Sequence, residues 1–594
     1  MSSGRGIRVA IGVAVVAVVG GLAVLGILAL GADEGAAVAP DPVTVSPPPG
    51  GRWASPKTEI SLRGLPIDRL GKITVSGSNT GSHTGRLEPH FDGEGASFVP
   101  DQPFEPGEEA DVSTDLTIPG ASHGDFRFWV SRPATPPPPR PADRLDGGVQ
   151  HFRSRPDLRV PEVRVLVHKP QTTPGYVFIA PKRGSGIDGP VILDNDGHVV
   201  WAELPRKGMH VTDFRPQTYR GRPVLTYWEG ASTVGVGLGE GVVLDQDYRE
   251  LMRVRAGNGY EADLHEFLLT PRGTALVLAY GFVHADLTSV GGPKNGLAID
   301  GIVQELDVQN HRVLFEWHSR DHIPLAESHW PLPDDPSSEA WDYVHLNSIA
   351  IDNDGDLIVS SRHTWAGYKI DRQTGAVRWR LGGKRSDFRF EEGAAFAYQH
   401  DIRRRADGAI TLFDNAASQA PQPGKKSRAL TLELDDGAHT ARVAGDVSHP
   451  GALLSETQGN HQVLPNGNVF VGWGSVPAFS EFTADGKLVF DGRIAKGNDN
   501  YRAYRGTWQG RPTTKPALVV DGGAAYASWN GATAVARWQL LAGDREAAME
   551  PFGETPKTDF ETAIPVPAGA HFVAVRALGP HGRTLGESEA VRAG

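Results

Sequence analysis

Five histidines stand at the head of short apolar stretches: His210 before Val211 and Thr212, His265 before Glu266 and Phe267, His345 before Leu346 and Asn347, His400 before Asp401 and Ile402, and His461 before Gln462 and Val463. Imidazole moves protons near neutral pH, attacks electrophiles and ligates metals. Turn positions ordinarily hold Gly, Asn, Asp or Ser, so a histidine repeated at one place offers more chemistry than a turn needs. Asn347 follows His345 by two, which on a strand puts both side chains on one face. Arg362 closes the next apolar stretch, in Ser360-Ser361-Arg362-His363. A guanidinium with several imidazole donors around one opening suits a tetrahedral oxyanion such as sulfate or phosphate.

Blander uses of the same residues stand beside this one. Each histidine can simply bond a neighbouring loop, and Arg362 can serve in a surface ion pair. Imidazoles can also hold a metal. Asp263, two residues before His265, would share its face, but no other histidine of the five has such a neighbour. The chain has neither an HExxH motif nor an EF-hand loop, and no metal is expected. His318, His322 and His329 lie in a segment rich in Asp, Ser and Pro that reads as a solvated loop.

The elements that must position these residues repeat. A turn followed by an apolar strand occurs at Asp194 to Trp201 and recurs at Leu244-Asp245, Leu306-Asp307, Ile370-Asp371, Leu434-Asp435 and Ala484-Asp485. The six copies recur at roughly 50 to 64 residues, the spacing of a propeller rather than of a single sandwich. Between copies lie hairpins with tight turns, Pro271-Arg272-Gly273, Asn353-Asp354-Gly355, Ala406-Asp407-Gly408 and Pro465-Asn466-Gly467. About four strands per copy is one blade. If the histidine-headed strands are the innermost of each blade, their starts ring one mouth of a central channel.

Composition agrees. The 594 residues carry a net charge of −12, a poor balance for gripping nucleic acid. There is no cysteine, so disulfides, thiolate metal sites and a cysteine nucleophile are excluded. Gly 72 and Pro 45 make about a fifth of the chain, against a usual share of about 12%, too many breakers for long helices. The expected fold class is all-β: a six-bladed β-propeller at 151–510, flanked by an Ig-like β-sandwich at 53–133 and a fibronectin-III-like β-sandwich at 515–594. A stalk at 33–52 and a Pro-rich linker at 134–150 join the parts. Val9 to Ala32 is uncharged and preceded by Arg5 and Arg8. That is long enough for a transmembrane helix at 9–32, with 1–8 cytoplasmic and the bulk of the chain outside the cytoplasm; a cleaved signal peptide is the competing reading.

With these residues in order, the middle of the chain resembles the arylsulfotransferase family. The likeness runs through Phe152 to Leu158, which is similar to the actinobacterial and fungal branch, then Pro174 to Phe178, Asp194 to Trp201, Val344 to Ile349, Ser361-Arg362-His363 and Gln399-His400-Asp401. The resemblance implies a six-bladed propeller that moves a sulfuryl group from an aryl sulfate to a phenolic acceptor, with no cofactor and no nucleotide sulfate donor. It implies that His400 takes the sulfuryl group as sulfohistidine. It implies that His265, His345, Asn347 and Arg362 hold the sulfonate and move protons. His210 and His461, from the same ring, are expected to touch substrate. Better-known bacterial members carry a disulfide, which this chain lacks. A non-catalytic, membrane-tethered propeller binding an envelope polymer or protein is the alternative, and hydrolysis with water as acceptor is a third.

Overall fold

The computed structural model describes residues 43–139, 144–416 and 426–593. The expected membrane helix at 9–32 and the cytoplasmic segment before it lie outside the described residues. Among the described residues no helix is long and apolar enough to cross a membrane. Among the described residues the structure is nearly all β: dozens of strands, one four-residue α-helix and four short 3-10 turns.

Two four-stranded sheets come first. One runs Thr44–Ser46, Ile60–Arg63, Gly95–Pro100, Gly85–Pro89; the other runs Gly81–His83, Thr74–Gly77, Glu109–Ser113, Phe126–Trp129. Alternation decides which face is buried: Ala110 and Val112 point inward and Asp111 and Ser113 outward. Ile60, Leu62, Val75, Phe98, Val112 and Phe128 share one core. The stalk expected at 33–52 ends earlier than that. Val43 is buried, and Val45 pairs with Leu62, because Val43-Thr44-Val45-Ser46 alternates well enough to serve as an edge strand. The linker expected at 134–150 is also partly engaged: Val149–His151 pairs with Arg159–Pro161.

The middle is a succession of antiparallel sheets. Val199–Ala202, Val191–Leu193 and Tyr176–Ile179 form the first, completed by Tyr504–Gly506 from the far end of the segment. A long sheet follows. Its two halves, His210–Tyr219 to Glu250–Val254 and Ala262–Leu269 to Arg312–His318, meet only at the pair Gly239 and Ala262. Next come Leu346–Ile351 to Val377–Gly382, and then His400–Arg404 to Thr440–Ser448. The last is Asn460–Val463 to Leu488–Ile494, whose outer edge is covered by Val163–His168. The first and last sheets are thus each completed by a strand from the opposite end of the segment, which ties the two ends together.

Two sheets close the chain, Ala517–Asp521, Ala524–Ser528, Glu561–Pro565 and Glu550–Pro556, Arg537–Gly543, Phe572–Leu578, Thr584–Glu587. They enclose Trp538, Leu540, Ile564, Val573 and Val575. The lead-in strip docks here: Ser154 N–H donates to Glu561 at 2.5 Å, and the Phe152 and Phe560 rings lie 4.3 Å apart.

The starts of several middle strands converge on a buried ionic cluster. Arg502 donates to Asp213 at 3.0 Å and Glu266 at 3.3 Å; Arg215 donates to Glu266 at 2.5 Å; Arg403 reaches Glu266 at 2.6 Å and Asp401 at 2.7 Å. Three cations face three carboxylates, all buried except Arg403, whose side chain is 21% exposed. Buried charge is tolerable only when paired this completely.

Candidate active site

Four of the five histidine-headed strands are bulged at or near their first residues. Pairing shifts between Thr212 and Arg215, between Ala262 and Phe267, between Leu346 and Ser348 and between His400 and Arg403. Asp213, His345 and Asp401 have φ of 52°, 48° and 59°. A bulge breaks the two-residue alternation and re-aims a side chain. As a result His210, His265, His345 and His400 all border one cavity of about 980 Å³, together with Arg362, Gln458 and Tyr501.

His400 is buried, at 1% exposed. Its Nδ1 lies 2.7 Å from Asn415 Oδ1. Asn415 spends its amide nitrogen on the Ser455 and Gln458 carbonyls, at 3.0 and 2.9 Å, so the oxygen must face the ring and Nδ1 must carry the hydrogen. Nε2 is left as the lone-pair nitrogen and accepts the Gln458 N–H at 3.2 Å. Burial, and then the nearby Arg362 charge, hold the His400 pKa well below the ordinary imidazole value. The ring is a neutral base with one lone pair at the cavity.

His265 and His345 sit with ring centroids 4.8 Å apart. Each is oriented by a carboxylate: His265 Nδ1 lies 2.6 Å from Asp263, and His345 Nδ1 lies 2.5 Å from Asp342. The expectation that only His265 has an acidic neighbour is corrected. Asp342 stands three residues before His345, and the φ of His345 turns the chain back on it. Burial opposes ionisation of Asp342, but His345 and then His363 bring its pKa down to about 2. Burial lowers the pKa of His265, against the pull of Asp263. Tyr501 packs edge-on against both His265 and His400, at 5.4 and 6.4 Å.

Arg362 is buried without a carboxylate partner among the described residues. It donates to the Glu456 carbonyl at 3.1 Å and to His363 Nε2 at 2.9 Å, and lies over the Tyr398 ring at 4.8 Å. Its Nε has no partner. Burial draws its pKa below the usual guanidinium value. A planar cation with no carboxylate in ion-pair contact is suited to an oxyanion. Asp342, His345 and His363 are close enough to hold a metal, but Arg362 donates into His363 and both Nδ1 atoms are engaged. These contacts favour an anion there.

Two expected residues lie elsewhere. Asn347 does not border the cavity with His345, because the bulge at Leu346 cancels the shared face. Its amide donates to the Gln399 carbonyl at 2.8 Å, and its own carbonyl receives Tyr501 and Arg502. His461 lies in an unbulged ladder, paired with Val471. It borders a separate cavity of about 390 Å³ beside Arg215, Asp401 and Arg403. Gln458, three residues earlier with φ of 67°, takes the place at the main cavity. His210 does border the cavity, and burial followed by the Lys182 charge lowers its pKa to about 4.

The cluster expected to be a solvated loop is packed instead. His318 is buried between Asp300 at 2.6 Å and Glu316 at 3.1 Å. His322 stacks on Trp317 at 5.0 Å and His329 on Trp365 at 3.5 Å, because aromatic rings supply the burial that Asp, Ser and Pro do not. Asn415, Asp342, Gln458 and Tyr501 were not singled out from the sequence. Asp342 is the one with a legible signal, its position three before a histidine.

Residues 215–495 match the arylsulfotransferase (ASST) family, and this part of the chain belongs to that family. His265, His345, Asn347, Arg362, His400 and His461 fall inside the matched segment, while His210 precedes it. No curated protein matches the chain. A solved protein of unknown function from Bacteroides caccae is 14% identical with a TM-score of 0.34, covering 56% of this chain and 98% of its own. A catalytically inactive virginiamycin B lyase from Staphylococcus aureus is 10% identical with a TM-score of 0.29, covering 62% and 96%.

Proposed function

We propose that the chain is an aryl sulfotransferase that carries the sulfuryl group on His400 between an aryl sulfate and a phenol. The observation that carries this reading is the Asn415 hydrogen bond, which leaves Nε2 of a neutral, buried imidazole as the nucleophile beside a guanidinium that has no carboxylate partner among the described residues. The middle sheets read as six blades, with the long sheet counted as two, and the paired sheets before and after as sandwiches. The N-terminal run is read as a membrane anchor holding the enzyme outside the cytoplasm, where a donor other than a nucleotide is needed.

Sulfuryl transfer is chiefly a matter of aligning groups in line and stabilising charge on oxygens. His400 Nε2 gives its lone pair to sulfur, the N–S bond forms, and the S–O bond breaks with its electron pair leaving on the phenolate. Nε2 exchanges the Gln458 N–H for sulfur, and that N–H becomes available to a sulfonate oxygen alongside Arg362. In the second half a phenol gives its proton to one of the two carboxylate-oriented histidines, His265 or His345. Its oxygen then attacks sulfur, and the N–S pair returns to His400. Asn347 acts on this reading as a support for Gln399, the residue before His400.

The test is intact mass after incubation with p-nitrophenyl sulfate. A sulfonate group gained on the His400 peptide, lost on adding phenol and absent in His400→Ala, supports the reading. Turnover that survives His400→Ala overturns it, and no gain with any of a donor panel favours a binding platform.

A further inference from the structure

The cavity that holds His400 has a neighbour. A second cavity of about 570 Å³ is walled by Trp330, Trp341, Tyr398 and Val234 and shares His345, Arg362 and Thr457 with the first. The hairpin tip between Arg222–Thr233 and Val236–Leu244 borders both. Val234 faces the second cavity and Gly235 the first, and a Cβ on Gly235 would lie 3.5 Å from His345 Cε1. Val234 is a β-branched residue at φ 42° with 57% of its surface exposed. Such a conformation is costly and gathers where function imposes it.

The two rims differ in charge. Around the first cavity Lys182 and Arg183 are spent on Asp499 and Arg144 on Asp188, but Arg159 and Lys207 have no carboxylate partner among the described residues. Around the second, Glu339 and Glu456 make no direct ion pair among the described residues, and Arg362 is the only Lys or Arg among those that border it. Walls of one sign concentrate ligands of the other.

We infer that the cavities divide the two aryl partners, the ring of the anionic aryl sulfate lying in the cationic cavity and the ring of the phenolic acceptor in the aromatic, acidic one. This rests on the sulfotransferase reading above. An in-line double displacement requires leaving and attacking oxygens to occupy the same position opposite His400 Nε2. The cavities can therefore differ only in where the ring points from that position, and His345 and Arg362, which border both, mark it.

The experiment measures donor and acceptor KM separately, with p-nitrophenyl sulfate as donor and either tyramine, a cationic phenol, or 4-hydroxybenzoate, an anionic one, as acceptor. Glu339→Lys is expected to raise the tyramine KM and lower the 4-hydroxybenzoate KM, each by about threefold to tenfold, without moving the donor KM. Lys207→Glu is expected to raise the donor KM by a similar factor and leave both acceptor values alone. Both residues are exposed, so neither change threatens the fold. Variants that shift donor and acceptor together, or a Glu339→Lys enzyme indistinguishable from wild type, overturn the division. If the wild type transfers nothing, the sulfotransferase reading falls by itself. The division is then read by equilibrium binding to His400→Ala, where tyramine must weaken with Glu339→Lys alone and p-nitrophenyl sulfate with Lys207→Glu alone; any other pattern refutes it.

Discussion

Replacing Asn415 by alanine tests the nucleophile without touching it. The side chain makes three hydrogen bonds: it accepts from His400 Nδ1 at 2.7 Å and donates to the Ser455 and Gln458 carbonyls at 3.0 and 2.9 Å. Asn415 is fully buried, so alanine leaves a buried N–H and strips two carbonyls of a donor. A buried polar group left unpaired costs about 1–3 kcal/mol. As the N–S bond forms, the imidazole gains positive charge, and a charge-assisted bond at Nδ1 is roughly twice as strong as a neutral one. Part of the loss therefore falls on the transition state alone. At about 1.4 kcal/mol per decade, the sulfuryl-loading step should slow about tenfold to a hundredfold. The assay is the burst of p-nitrophenol from p-nitrophenyl sulfate in the absence of acceptor. Burst rate should fall while burst amplitude still reports one sulfonate per chain, and the far-UV spectrum should be unchanged. A wild-type burst rate from a folded Asn415→Ala protein would refute the assignment of Nε2 as the attacking atom.

Three further outcomes are expected. Arg362→Lys should lower kcat/KM for the donor by about tenfold to a hundredfold, since an ammonium can neither donate from a planar fork nor stack on Tyr398; steady-state kinetics with p-nitrophenyl sulfate reads it. Glu266→Gln removes the carboxylate shared by Arg215, Arg403 and Arg502 and should destabilise by about 3–5 kcal/mol, seen as a lower denaturation midpoint. Stability should also depend on pH through His461. Burial, against the pull of Asp401, lowers its pKa to about 4, so between about pH 6.5 and 4 the unfolded chain binds a proton that the folded chain refuses. Its neutral form costs nothing above about 6.5, and stability is lost as pH falls toward 4, by about 3 kcal/mol at the limit. His461→Gln should flatten that slope in urea titrations at pH 6.5 and 5, and an unchanged slope would refute it. His318 acts with the opposite sign. Burial opposes its charge, but Asp300 and Glu316 raise its pKa well above the ordinary value, so its contribution is present below about 6.5 and lost as pH rises through the raised value.

Much of the architecture was legible because it is local. The Asp-containing turns and alternating strands announce an all-β chain, since turn chemistry and two-residue alternation act over a few residues. The histidines at the hairpin heads were legible as types repeated at one place. Their grouping was not, because it depends on bulges, and no residue pattern in Thr212 to Arg215 or His400 to Arg403 distinguishes a bulged strand from the regular one at His461. The same ambiguity misplaced Asn347, where strict alternation put it beside His345.

What the sequence by itself determined is which chemistry was at hand: no thiol, repeated imidazoles, one arginine in a Ser-Ser-Arg-His run, and strands short enough to place them at loop ends. Tertiary structure decided the rest. Only folding brings Asn415 against His400 and Tyr501 between two rings, and only folding buries His400 deeply enough to keep it neutral. The reason is physical: a tautomer, a lowered pKa and a guanidinium without a carboxylate partner are set by neighbours and solvent access, and most of those neighbours come from other strands and loops, beyond the reach of local sequence pattern.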